Sequence, residues 1–367
     1  MRKITFTVTL LFIVFKIAVA QKYSNEFMAI GVGARAHGLG NAVVASVNDV
    51  TAGYWNPAAL MNLANNQSIQ IGAMHANWFA GIANYDYMGV AIPQKNGQKV
   101  FAFSFVRMGV DDIPNTLSLF DENGSVNYNN IVPFSSSDYG LMGSYAQSIN
   151  LKGKPFYIGG NVKVIRRVIG QFANSWGFGI DLGAQYKLNQ WTFGILGRDL
   201  TTTFNAWKFN FTDKQKAVLG ITGNDIPISS VEITKPVFIL GACYRKDWKN
   251  IGAQAEMNWS VNTDGKRNEL IKSNFASISP SMGVEVDYKR KVFLRTGANN
   301  FQQIKEFDNA KKWIFQPNFG IGLKLYKLRI DYAYSDLGQV QTAFYSHIIS
   351  ATLDLNYRFI KSLRDAE

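Results

Sequence analysis

Apolar and polar residues alternate one by one through segments of about ten residues, and this period of two limits what the chain can fold into. Ile251, Ala253, Ala255, Met257 and Trp259 alternate with Gly252, Gln254, Glu256, Asn258 and Ser260. Phe178, Ile180, Leu182, Ala184 and Tyr186 do the same against Gly179, Asp181, Gly183 and Gln185, and Ile349 to Phe359 repeats the pattern. Successive side chains of a strand point to opposite faces, so each segment reads as a strand with one apolar face. Carried along the chain, the pattern predicts strands at 67–77, 82–92, 99–109, 137–149, 155–168, 175–187, 190–199, 234–246, 249–260, 274–288, 291–299, 317–326, 327–336 and 346–359. That is fourteen, an even number. Outside the N-terminus no apolar run approaches the ~18 residues a membrane helix needs. The expected fold class is all-β, a 14-stranded antiparallel transmembrane β-barrel over 67–360 with a short C-terminal tail at 361–367.

The connections between these strands alternate in length, as short periplasmic turns and longer outer loops would. The short set lies near 93–98, 150–154, 188–189, 247–248, 289–290 and 326–327; the long set includes 110–136, 200–233, 261–273, 300–316 and 337–345, while two of its members, 78–81 and 169–174, are short. Trp78, Trp176, Trp191, Trp248, Trp259 and Trp313 fall near predicted strand ends, where aromatic girdles mark the two membrane interfaces. Lys95, Lys99, Lys152, Lys154, Lys187, Lys246, Lys249, Lys289, Arg290, Lys291 and Lys327 gather at the short turns, with Asp247 opposed to them. A basic rim of this kind suits anionic headgroups, so outer-membrane lipids are expected partners.

Arg2 and Lys3 precede an apolar stretch that ends at Ala18-Val19-Ala20, the layout of a signal peptide over 1–20 cleaved near Ala20-Gln21. Removing Arg2, Lys3 and Lys16 from the 38 basic residues leaves 35 against 26 acidic ones, so the mature chain still carries +9. An exported chain without a helical recognition motif is not expected to bind nucleic acid. Bacterial outer membrane is the expected location. Cys243 is the only cysteine and the three histidines stand apart at 37, 75 and 347, which leaves little for metal or imidazole chemistry. No cofactor, no metal and no enzymatic activity are expected.

Within the N-terminal segment 21–66, residues 27–62 do not alternate. Gly31, Gly33, Gly38 and Gly40 permit close backbone approach, and Asn56-Pro57 can start a short helix. With two short helical stretches at best, the segment is expected to form a small hatch in the barrel mouth, with Arg35 and Asp49 meeting polar lumen groups. Ser346 and His347 are neighbours on opposite strand faces and cannot make a hydrolase pair. Asp111-Asp112 and Asp121-Glu122 read as solvated loop charge, and Cys243 as a small lumen-side filler. In the 200–233 loop, Phe204, Trp207, Phe209 and Phe211, with Ile226, Pro227 and Ile228, put large apolar groups where water is expected. Two readings stand equal: the cluster docks a partner, or it folds inward over the barrel mouth.

Phe27 to Leu60 carries GVGAR, GLGNA, the Asp49-Val50 pair and Tyr54-Trp55-Asn56-Pro57-Ala58. This segment resembles the opening signature of the PorV/PorQ family of outer-membrane proteins, closest to its PorV-like paralogues. That family belongs to the type IX secretion system and has the 14-stranded fold of the FadL long-chain fatty-acid transporters. Ala59 stands where the family's NPAG has Gly, and Leu39 where Met is usual. The signature covers about a tenth of the chain and is shared with FadL-like proteins, so it speaks to fold more than to role.

The resemblance implies secreted cargo proteins and a large translocon barrel as partners, with cargo C-terminal signal domains bound at outer loops and carried to surface attachment. The hatch motif would be Arg35, Gly38, Gly40, Asp49, Trp55, Asn56 and Pro57; the cargo-binding candidates are Phe204, Trp207, Phe209 and Phe211. The rival expectation is a FadL-like transporter of hydrophobic small molecules. Lumen-side Asp181, Gln254, Glu256, Glu285 and Asp287 argue against a greasy conduit. A scaffold holding periplasmic partners at the basic rim is a third.

Overall fold

A computed structural model describes residues 24–66, 68–94, 97–120, 123–221, 229–305, 311–336 and 345–356. The expected signal peptide at 1–20, the expected tail at 361–367, Lys95, Asp121, Glu122 and 226–228 lie outside the described residues.

Fourteen strands close the barrel: β1 (Ser68–Trp78), β2 (Ala83–Pro93), β3 (Lys99–Asn115), β4 (Val132–Leu151), β5 (Lys154–Ile169), β6 (Ala173–Leu188), β7 (Trp191–Arg198), β10 (Val237–Trp248), β11 (Ile251–Asn262), β13 (Ser277–Tyr288), β14 (Val292–Lys305), β15 (Lys311–Leu325), β16 (Leu328–Asp336) and β17 (Tyr345–Asn356). Each matches one predicted strand. All pairings are antiparallel, and β17 returns to β1 through a register from Ser68↔Asn356 to Asn77↔His347. Closure leaves no edge in the lipid layer, where an unpaired backbone amide costs several kcal/mol.

The alternation follows from the two solvents. Phe178, Ile180 and Leu182 of β6 point outward, 38–54% exposed, while Asp181 among them and Gln185 further along the strand are buried in the lumen. Trp176, Trp191, Trp248, Trp259 and Trp313 also face outward near strand ends, as an interfacial girdle does. Trp78 does not: it is buried in the lumen against the His37 ring, with centroids 5.4 Å apart. Several short turns are two-residue hairpins; between Leu151 and Lys154, Lys152 and Gly153 both take positive φ, 51° and 82°, which matches strand twist.

The long-loop end departs from expectation. β3 and β4 pair out to Asn115↔Val132, beyond the predicted 99–109 and 137–149, with a bulge between Val110 and Ile113 that carries Asp111 and Asp112. β14 and β15 likewise run on to Lys305↔Lys311. Past the lipid layer both faces of a strand meet water, so pairing continues where alternation stops. The 200–233 connection is not an irregular loop either. It holds β8 (Thr203–Phe209), a helix Asp213–Ile221 and β9 (Ser229–Thr234). β7 pairs with the lower part of β6, Leu182–Leu188, and β8 takes over the upper part, Ala173–Phe178. A two-residue strand, β12 (Ile271–Lys272), pairs onto β13.

Residues 24–66 fill the lumen as expected, through four short helical segments rather than two: Glu26–Met28, Ala34–Gly38, Ala52–Trp55 and Pro57–Asn66. Single turns this short are not stable alone. Here the wall supports them, through a shared core that includes Val32, Leu39, Val50, Leu60, Tyr85, Val106 and Met142.

Candidate functional site

The hatch meets the wall at glycines. A Cβ at Gly38 would lie 3.0 Å from Gly320 Cα, and one at Gly40 2.7 Å from Ala298 N. Wall glycines 283 and 297 face Leu39, Gly159 faces Pro57 and Ala58, and Gly183 faces Asn56. Backbone thus lies on backbone around much of the lumen. The motif residues fasten this seat. Trp55 Nε1 donates to Val32 O at 2.8 Å, and Asn56 Nδ2 donates to Val44 O at 2.9 Å and to Ala184 O of the wall at 3.1 Å. Pro57 opens the last helical segment, where a missing N–H costs nothing.

Arg35 reaches a lumen carboxylate: its Nε lies 3.2 Å from Glu285 Oε2. A chain of buried charges continues from there, Glu285 to Arg295 at 2.5 Å, Arg295 to Asp331 at 2.8 Å, and Asp331 to Arg329 at 2.8 Å. Burial alone would lower the Arg35 pKa, but Glu285 and Asp49 more than offset it and raise it. Asp49 itself stays local, accepting from Thr51 N at 3.0 Å. His37 is the opposite case: burial holds its ring down to about 4, so it is neutral, and Nε2 sits 3.1 Å from Gly31 O.

Above the hatch, towards the long loops, lies a recess of about 280 Å³. Asn41, Val44 and Trp55 of the hatch line it together with Arg198 at the end of β7, Lys235, Asn262 and the segment Thr263 to Glu269. Its rim is tied by charge: Arg267 bonds Asp264 at 2.7 Å and Glu26 at 3.1 Å. Three polar atoms are buried here with no hydrogen-bond partner among the described residues: Arg198 Nη2, Glu269 Oε2 and Asn41 Oδ1. Burial raises the Glu269 pKa. Donors and acceptors left open in a polar hollow suit a ligand that brings its own.

β8 and β9 form an arm beside this recess. Asn205 Nδ2 donates to Asn25 Oδ1 at 2.7 Å, Ser24 Oγ to Glu232 Oε2 at 3.2 Å, and Asn25 Nδ2 to Thr234 Oγ1 at 2.9 Å, so the start of the hatch is stitched to the arm. At the crossover from β7, Lys163 Nζ lies 2.5 Å from Asp199 and 2.8 Å from Asp181.

The four loop aromatics do not form one exposed cluster. Phe204 faces outward, 5.9 Å from Phe178. Trp207 is buried beneath Arg167, whose guanidinium carbon is 5.1 Å from its ring. Phe209 and Phe211 stack on each other, half-buried, and Phe211 stacks on Phe172. Of the two readings that stood equal, Trp207 follows the inward one: as an inward residue of a paired strand, it packs. The recess residues went unassigned in the sequence, because Asn41, Arg198 and Glu269 come from three distant segments with no shared spacing.

The solved structures to which the fold is similar include the Pseudomonas putida toluene transporter TodX (TM-score 0.53, 14% identity, 89% of this chain and 98% of that one). The fold is FadL-like. A Pseudomonas aeruginosa FadL homologue matches with TM-score 0.52 and 14% identity, and the CymD monoaromatic hydrocarbon channel with 0.52 and 12%, each over 89% of this chain and 98% of the other. No protein-family model and no curated protein matches the sequence. Identities this low speak for the FadL-like fold alone.

Proposed function

We propose that this FadL-like barrel is an outer-membrane binding protein of type IX secretion, which receives a polar segment of secreted cargo, its C-terminal signal domain, in the recess at the long-loop end. The observation that carries this reading is the pairing of a closed lumen with an open polar hollow. The hatch rests backbone to backbone on wall glycines, and Arg198 Nη2, Glu269 Oε2 and Asn41 Oδ1 stand unpartnered above it. A peptide segment brings amides and carbonyls that would satisfy all three. The likeness of Phe27–Leu60 to the PorV/PorQ signature supplies the cargo class. The test is capture of purified cargo C-terminal domains by the detergent-solubilised barrel. Arg198→Gln with Glu269→Gln is expected to weaken capture at least about tenfold while the barrel stays folded; unchanged capture removes the recess from the site.

A second reading is transport of hydrophobic small molecules, and the solved neighbours favour it over the first: TodX is named a toluene transporter and CymD a monoaromatic hydrocarbon channel. It requires an apolar route past the hatch. Uptake of a labelled monoaromatic hydrocarbon or long-chain fatty acid that depends on this protein would establish it.

A further inference from the structure

The outer wall of a β-barrel is convex, yet this one carries a groove of about 1100 Å³ on its lipid-facing side. The groove crosses six neighbouring wall strands, from β7 through β10, β11, β13 and β14 to β15. Along its floor the register sets small side chains between larger ones. Ala242 stands opposite Met257, Ala255 opposite Val284, and Thr296 and Ala298 opposite Phe319 and Pro317. Aromatic side walls bound it, Trp191 and Phe193 on one flank and Phe315 and Phe319 on the other. Trp191 is packed against Tyr244 at 5.0 Å and stacked on Phe193 at 6.1 Å, so that flank is preformed.

The hatch explains the shape. On the lumen side of the same strands, Gly194, Gly241, Gly283 and Gly297 lie against the Val44–Ala45 and Leu39–Gly40 backbone, where a Cβ at Gly241 would be 3.1 Å from Ala45 N. Small residues on both faces let the wall sit inward on the hatch, and the outer surface follows. Beneath the groove, at the short-turn end, these strands finish in Lys246, Lys249, Lys289, Arg290 and Lys291, all exposed. The acid among them, Asp247, is already held by Arg245 at 2.7 Å and by Arg290 at 3.3 Å.

We propose that this groove and the basic turns below it form a seat for one anionic phospholipid of the periplasmic leaflet, acyl chains in the groove and phosphate among the lysines. An apolar hollow in the hydrocarbon layer takes acyl chain, and a cluster of cations at the interface selects a headgroup with net negative charge. The two halves of the site lie in the order a lipid has, tail above head. A second barrel would meet the same hollow with its own convex wall, but nothing in that contact would use the lysines.

The test is native mass spectrometry of the full chain in detergent, offered phosphatidylglycerol and phosphatidylcholine of the same acyl chains. One phosphatidylglycerol is expected to stay bound, preferred over phosphatidylcholine by at least about tenfold. Lys246→Gln, Lys249→Gln and Lys291→Gln together should bring that preference close to one and leave phosphatidylcholine binding as it was. Ala242→Phe with Ala298→Phe, which fills the floor, should cut retention of both lipids at least about tenfold. Met88→Phe, an exposed wall position on β2 away from the groove, should change neither. All three substitution sets lie on the outer surface, and retained heat-modifiable migration on gels verifies that each barrel is folded. Equal retention of the two lipids by the native chain, no retained lipid, undiminished binding by the filled groove, or a second copy of the chain in place of lipid would each overturn the proposal.

Discussion

Gly38 of the hatch and Gly320 of the wall meet so closely that a Cβ on either would stand about 3 Å from the Cα of the other. The contact is between two backbones, which do not yield as a side-chain end does. Gly320→Val is therefore expected to push the segment Ala34–Gly38 off its seat while the strands still pair. Single-channel conductance in a planar bilayer would rise from closed to open, and amide exchange over 34–40 would speed by at least about tenfold. A variant as closed as the native barrel would show that the hatch is held elsewhere.

Glu285 is shared by two arginines, Arg35 at 3.2 Å and Arg295 at 2.5 Å, and Arg295 has a second carboxylate in Asp331. Removing one member of a buried charge set strands its partners, at roughly 3–5 kcal/mol. Glu285→Gln leaves Arg35 without this carboxylate and weakens Arg295, whereas Arg35→Gln leaves Glu285 still paired. The Glu285 variant should thus lose more stability in urea unfolding than the Arg35 variant. Equal losses would mean that the chain of charges does not act as a unit.

How far this was legible depends on whether a signal was local. Every wall strand divides lipid from lumen, so Phe178, Ile180 and Leu182 against Asp181 and Gln185 announce β6 without help from any other segment. The hatch was legible too, since Gly38 and Gly40 stand close together in a stretch that does not alternate. β8 was not. Its inward set, Thr203, Asn205 and Trp207, is as mixed as its outward set, Phe204, Ala206 and Lys208, so no contrast marks the strand. Arg198, Glu269 and Asn41 share a recess only because the barrel closes, and no spacing along the chain records that. The outward groove was hidden for another reason: Ala242, Ala255 and Ala298 look like ordinary small strand residues until the register aligns them.

Acid should loosen the hatch through His37. Its buried ring is held down to about 4 against an ordinary value near 6.5, so the unfolded hatch takes up a proton more readily than the seated one. The sign follows: this contribution is intact above about pH 6.5 and is lost progressively as pH falls towards 4, up to roughly 3 kcal/mol. The protection of amides over 31–40, exchange measured against the intrinsic rate at each pH, should fall between pH 7.5 and 5. His37→Asn removes the titrating group, and a pH profile unchanged by that substitution would move the effect to another residue.

Trp207 and Phe204 belong to one strand and face opposite ways, which separates the stability of the arm from its surface. Trp207 is buried under Arg167, while Phe204 is 42% exposed beside Phe178. Truncating a buried tryptophan costs about 3–5 kcal/mol, far more than trimming an exposed ring. Trp207→Ala should therefore free β8 and β9 and open the segment between Thr203 and Thr234 to limited proteolysis, with the barrel still heat-modifiable on gels. Phe204→Ala should leave that segment protected. If Trp207→Ala lowers cargo capture and protease cuts the arm, the loss comes from an unfolded arm; lowered capture with an uncut arm would make the indole itself a contact. Full capture by a cleaved arm would place the cargo seat wholly in the recess between Arg198 and Glu269.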